Sequence, residues 1–226
     1  MRRDSCVGAL MGLLFVYFLG GCRAEDGAVD SAPPASAEEE RLPSQPIDLV
    51  SFQQSRADGE RYGYRDSAGQ VVIEPRFLIG LEFSEFGLAA IVDESGWAYI
   101  DVQGRIVIRP FLFDNGPDNF SEGLARFEKD GRFGFFDQWG RVAIEPRFDF
   151  ARPFSEGLAA VCAGCRKESA GEHWSMQGGK WGYIEKSGKV AIPLGWDEAT
   201  SFEGGRARVV EAGESIVIAR DGSRQE

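Results

Sequence analysis

Residues 132–161 read RFGFFDQWGRVAIEPRFDFARPFSEGLAAV, and this stretch decides the fold because its pattern recurs along the chain. One copy covers 61–92 (RYGYRDSAGQVVIEPRF, then FSEFGLAAIV) and a second covers 96–127 (GWAYIDVQGRIVIRPF, then FSEGLARF). After the third, at 132–161, a fourth covers 180–210 (KWGYIEKSGKVAIP, then FEGGRARVV), and a partial copy runs over 215–222. The turn glycines Gly69, Gly104, Gly140, Gly188 and Gly222 are spaced at 35, 36, 48 and 34 residues, so the third interval holds an insertion, residues 162–179.

Each copy reads as short strands. An aromatic–Gly–aromatic run such as Trp181-Gly182-Tyr183 suits a strand whose glycine admits a close neighbour. An acid three residues before a glycine, as in Asp137/Gly140, marks a tight turn, and a second strand follows at 71–73, 106–108, 142–144 and 190–192. Pro75, Pro110, Pro146 and Pro193 are expected to end those strands. Phe-Ser-Glu-Gly-Leu-Ala then turns the chain into a third strand of the same unit. Apolar runs of helical period are missing beyond the first twenty or so residues. The fold class is therefore all-β: tandem three-stranded antiparallel meanders, as a closed, propeller-like ring or a curved open array. Residues 47–52 (IDLVSF) look like a third strand without its predecessors, and a partial copy ends the chain. A sheet shared by the two ends would close the ring, and that form is the expectation.

The pattern resembles the WG-repeat family of bacterial proteins, named for the pair seen here at Trp181-Gly182, over about residues 47–222. Tyr62-Gly63, Trp97-Ala98 and Phe133-Gly134 keep an aromatic ring beside a small residue. The resemblance implies a non-enzymatic binding or scaffold array, often exported.

The first residues carry Arg2 and Arg3, an apolar run from Val7 to Leu19, and Leu19-Gly20-Gly21-Cys22. This order is that of a secretory signal, and the run is short for a spanning helix. Its end resembles the bacterial lipobox, which implies a signal peptide over 1–21 and lipid attachment at Cys22. Several acyl chains on one residue would anchor the protein stably to a membrane. Arg23 in place of Asp does not favour inner-membrane retention, so the expected location is the bacterial envelope, at the outer membrane facing the periplasm or surface. Residues 22–46, with four prolines and Glu38-Glu39-Glu40, read as a disordered tether, and 47–226 as the β domain.

Chemistry has few places to reside. Cys162 and Cys165 open the insertion, and a disulfide closing the base of a long loop is the reading that fits an exported protein. A zinc site is the alternative, with His173 and Glu168 or Glu172 completing the ligands, and thiol redox activity is a third. Tyr62, Trp97, Phe133 and Trp181 read as core wedges, whereas Trp139, Trp174 and Trp196 fall outside that register and are candidates for a binding face. The recurring Ser-Glu-Gly reads as a structural turn. No hydrolase or phosphate-loop motif is present, and a net charge of −11 disfavours nucleic acid. The sequence thus points to a lipid-anchored module binding an envelope protein, peptide or glycan, without enzymatic activity or cofactor.

Overall fold

A computed structural model of the chain describes residues 47–170 and 173–225. The segments read above as signal peptide and tether, Cys22 included, lie outside the described residues, as do the side chains of Ala170 and His173.

The described residues form strands and no helix. The first sheet is β1 (Val50–Arg56), β2 (Gly59–Arg65) and β3 (Val71–Phe77). The second is β4 (Ile79–Gly80), β5 (Ala89–Asp93), β6 (Gly96–Ile100) and β7 (Ile106–Ile108). A small ribbon follows, β8 (Leu112–Phe113) with β9 (Gly116–Pro117). Next come β10 (Leu124–Lys129), β11 (Arg132–Asp137) and β12 (Val142–Phe148). Then β13 (Phe150–Ala151), β14 (Leu158–Ala170), β15 (His173–Glu185) and β16 (Val190–Trp196) share a sheet. The last holds β17 (Glu198–Ala199), β18 (Arg206–Glu211), β19 (Glu214–Ala219) and β20 (Arg224–Gln225).

All are antiparallel meanders, as the repeat predicts, but their phase is shifted. The strand after Phe-Ser-Glu-Gly pairs with the aromatic strand of the following copy: β10 with β11, from Leu124↔Asp137 to Lys129↔Arg132. The cause is the turn Asp130-Gly131, with φ of 53° and 73°, which closes the short hairpin that a right-handed strand twist favours. The sheet break falls instead between β3 and β4, β12 and β13, and β16 and β17. The ring expectation is not met by a shared end sheet. The strand containing residues 50–52 pairs only within the first sheet, and residues 216–219 lie in the last.

The prolines also behave differently from expectation. In three copies the strand runs through the proline, as Val71–Phe77, Val142–Phe148 and Val190–Trp196. A bulge lets it do so: Tyr64 pairs with Ile73 and Tyr62 with Phe77, so four steps on one strand face two on the other. Gly63 sits opposite the extra residues, and a Cβ there would lie 2.5 Å from the Ile73 carbonyl oxygen and 2.7 Å from the Pro75 nitrogen. Gly134 and Gly182 face the same backbone at similar distances. Copy two has Ala98 at this position, and its strand β7 stops at Ile108, before Pro110. The residues that would have re-paired form the β8–β9 ribbon instead, turning through Asp114 and Asn115 at φ 50° and 69°.

In copies one, three and four the second aromatic of the motif is the deeper wedge, while Phe133 and Trp181 are also buried and Tyr99 of copy two is half-buried. Tyr64, Phe135 and Tyr183 are fully buried, whereas Tyr62 and Trp97 are only half-buried. A continuous apolar core links the last three sheets, from Leu124 to Ile218. Burial raises the pKa of Tyr183 well above the ordinary tyrosine range, and its hydroxyl donates to the Thr200 carbonyl at 2.9 Å.

Candidate ligand cleft

The strands have two ends, and the repeat treats them differently. At one end lie the Ser-Glu-Gly turns, in which Glu122 and Glu156 both take φ 53°, an uncommon conformation for a residue with a side chain. Hydrogen bonds between neighbouring copies compensate. The Ser121 hydroxyl donates to the Phe154 carbonyl and the Ser155 hydroxyl to that of Phe202, each at 2.6 Å. The Glu122 carboxylate accepts from Gly157 N at 3.0 Å, and Glu156 accepts from Gly205 N at 2.8 Å. Desolvation works to raise the Glu122 pKa, but the bonds from Lys186 and Gly157 outweigh it and hold the carboxyl below its ordinary value. Copy four reads Glu203-Gly204-Gly205, with glycine where the linking glutamate stands in copies two and three. The Ser-Glu-Gly motif is therefore a rivet between units.

At the other end two features occur once each. One is the β8–β9 ribbon, where Leu112 and Phe113 are 50% and 57% exposed. The second is the insertion, which is not a loop. It prolongs β14 and β15 into a two-stranded arm paired from Cys165↔Gly178 to Ala170↔His173. At the arm's base the ladder skips Gly164 and Gly179, where a Cβ on Gly179 would meet Cys165 N at 2.5 Å. The Cys162–Cys165 disulfide spans this irregularity within one strand, with its Cα atoms 6.1 Å apart, so it braces the root of the arm instead of closing a loop. Both cysteines are buried, and both sulfurs are committed to the bond. Among the described residues no group of three His, Cys, Asp or Glu side chains could hold a metal.

Between ribbon and arm runs a cleft of about 1160 Å³. Its aromatic surface includes Phe113, Phe120, Phe150, Trp174 and Trp181. Arg126 is buried at 4% exposure, and its Nε and Nη2 bond both oxygens of Asp118 at 2.8 and 2.7 Å while Nη1 reaches the Ala151 carbonyl at 2.9 Å. Its guanidinium also lies over Phe111 and Phe150 at 4.9 and 5.9 Å. This pair, satisfied on every side, pins the segment after the ribbon to the sheets. Asp118 and burial together also push up the pKa of Tyr99, burial more strongly.

Arg152 is arranged otherwise. It is exposed along the cleft, yet its guanidinium lies 5.5 Å over the Trp181 ring and its Nε donates to the Ala199 carbonyl at 2.9 Å. Desolvation, then the neighbouring Arg126, lower its pKa. Its two terminal nitrogens have no hydrogen-bond partner among the described residues. Trp181 is 3% exposed, and its ring nitrogen is a buried donor without a partner among the described residues.

The three tryptophans read as a binding face are not brought together. Trp174 lies on the arm, 37% exposed, edge-on to Phe150 at 5.5 Å, and borders the cleft. Trp139 sits at the riveted end of its strand, in the β11–β12 turn against Phe86 at 5.2 Å. Trp196 packs on the core and pairs with Trp181. His173 begins β15, but its side chain lies outside the described residues. The sequence reading missed Arg126, Asp118 and Arg152. A comparison of the copies with each other gives a partial signal for the first: Arg126 stands where copies one and three have Ala90 and Ala160, while copy four has Arg208.

Sheets, rivets and bulges define a tandem β-meander repeat protein. A model of the WG containing repeat matches residues 97–133, 133–164 and 181–214, so the chain carries WG repeats in three places. No curated protein matches it in sequence. A solved structure titled "Crystal structure of the eukaryotic initiation factor" is similar at a TM-score of 0.34 and 13% identity, over 79% of this chain and 52% of that one. This chain thus spans about half of that one, and the likeness is too slight to inform its fold or function.

Proposed function

We propose that this is a non-enzymatic binding module whose ligand occupies the cleft between the β8–β9 ribbon and the arm. One observation carries the reading: both features that break the repeat project from the same end of the strands and flank an aromatic cleft. Repeat proteins place their unit-specific insertions on the face that meets a partner. The signal-like N-terminus supports a bacterial envelope protein anchored through lipid on Cys22, with the tether giving the β domain reach.

Two experiments test this. A photo-crosslinking phenylalanine analogue at Phe113 should capture an envelope component in cells, and the same analogue at Gln103, on the riveted end, should not. Equal capture at both positions contradicts the reading. For the anchor, Cys22→Ser should release the protein from membranes, and retention there removes that part of the proposal.

A further inference from the structure

The site proposed above has an open strand edge, and its chemistry narrows the ligand class. Four consecutive residues, Trp174, Ser175, Met176 and Gln177, border the cleft. Neighbouring side chains on a strand point to opposite faces, so a cleft touching four in a row must follow the strand's edge. Among the described residues no strand pairs with that edge. β15 pairs with β14 on one side, but its pairing with β16 begins only at Trp181↔Trp196. In an antiparallel ladder every second residue turns its N–H and C=O away from the partner. Those groups of residues 174–177 therefore face outward along the cleft.

Arg152 supplies the second half of the argument. Stacking on Trp181 and the bond to Ala199 fix the plane of its guanidinium, and its terminal nitrogens have no hydrogen-bond partner among the described residues. A planar fork held in this way matches a carboxylate. Glu198 and Asp114 also line the cleft and would repel acids placed away from Arg152. The charge of Glu198 already favours the Arg152 cation, without a hydrogen bond to it among the described residues, and Asp118 is neutralised by Arg126. The aromatic surface of Phe113 and Trp174 fits apolar side chains beside such a carboxylate. A glycan could stack on the rings but would leave the strand-edge amides without a matching ladder.

We infer that the cleft takes an extended peptide, which adds as a strand to the edge of β15 at 174–177 and places one carboxylate on Arg152. The binding mode is β-strand addition, in which main-chain bonds supply affinity and side-chain pockets supply selectivity. Four residues of strand span about 13 Å, so a peptide of roughly six to eight residues covers the edge and reaches beyond it. The carboxylate has two sources, an Asp or Glu side chain or the peptide's own C-terminus.

The inference rests on the cleft reading and is tested separately from it. The soluble β domain with its native disulfide is titrated with a library of octapeptides rich in Val, Ile and Thr, each with one Glu, with free or amidated C-termini, and in parallel with neutral and acidic oligosaccharides. Saturable peptide binding is expected. Replacing Glu by Gln in the peptide, or Arg152→Gln in the protein, should weaken it at least about tenfold, while N-methylation of alternate peptide amides should abolish it with all side chains intact. Loss on amidation alone assigns the carboxylate to the C-terminus; loss on Glu→Gln alone assigns it to the side chain. Binding that survives N-methylation on both alternations overturns strand addition. Oligosaccharide binding at the cleft without peptide binding overturns this inference but leaves the cleft reading standing. Failure of both ligand sets, together with no photo-capture at position 113, ends both.

Discussion

The two ends of the strands differ in what they repeat. At the riveted end, Ser121 and Ser155 make the same bond to the next copy, and Glu122 and Glu156 accept from equivalent glycines. At the open end, the ribbon, the disulfide-braced arm and the Arg126–Asp118 pair each occur once. A residue type that recurs in register with the fold serves the fold, since every copy must meet the same neighbours. One that occurs once, against the grain of its sister copies, is free of that duty. The Arg126–Asp118 pair is the sharpest instance: copies one and three have alanine at the place of Arg126, and copy four, with Arg208 there, has Thr200 at the place of Asp118.

The largest effect is expected at the open end. Asp118→Ala strips a buried guanidinium of its carboxylate, and breaking such a pair from one side costs about 3–5 kcal/mol. Urea unfolding should show that loss. A change under about 1 kcal/mol would mean that the ribbon is not fixed by this pair.

Next is a repeat position. Gly182→Ala drives a Cβ to 2.6 Å from the Ile192 carbonyl oxygen and 2.8 Å from Leu194 N, both backbone atoms that cannot rotate aside. About 3 kcal/mol of destabilisation is expected, from overpacking. Ala98→Gly sharpens the comparison. Copy two has already broken its ladder, so the change should shift stability by no more than about 1 kcal/mol. Thermal melts of the two variants side by side decide whether the bulge glycine is a repeat-wide requirement.

The disulfide is expected to contribute less. Its loop is only a few residues long, and chain entropy then gives about 2 kcal/mol. Cys162→Ser with Cys165→Ser should lower the melting temperature modestly. Hydrogen exchange should quicken in the arm, at 166–169 and 174–177, ahead of β10–β12. Uniform quickening would place the brace in the core instead of at the arm's root.

The smallest effect tests a single rivet by pH. The folded-state pKa of Glu122 lies below its ordinary 4.5. Its contribution is therefore complete above that value and is lost as pH falls through the lowered one. Glu122→Gln should lower the melting temperature slightly at neutral pH and flatten its decline between about pH 5 and pH 3, so that variant and parent converge in acid. An identical decline in the variant would show that the rivet does not depend on the charge.

Much of the fold was legible because strands, turns and repeats are local or periodic. The copies, their turn glycines and the all-β class followed from spacing and from Gly, Pro and Asp at turns. Phase was not read, because a strand's pattern does not say which neighbour it pairs with. Asp130-Gly131 carried that information, as a short hairpin signal between two apolar runs. The prolines misled because their cost to a ladder disappears at a bulge, and the bulge depends on a glycine of the facing strand, Gly63 for Pro75. The arm was hidden because Arg166, Lys167, Glu168 and Ser169 show no apolar alternation, and Trp174 with Met176 is its only period-two trace. Of the site, Trp174 was legible, whereas Arg152 and Asp118 acquire meaning only from what they touch.

Photo-capture from position 113 in a protein lacking residues 166–177, with Cys165 joined to Gly178, tests most directly whether the repeats make the fold and the unrepeated parts make the site. The shortened protein should unfold cooperatively on heating and lose capture. Capture undiminished without the arm, or collapse of the sheets along with it, would contradict the account.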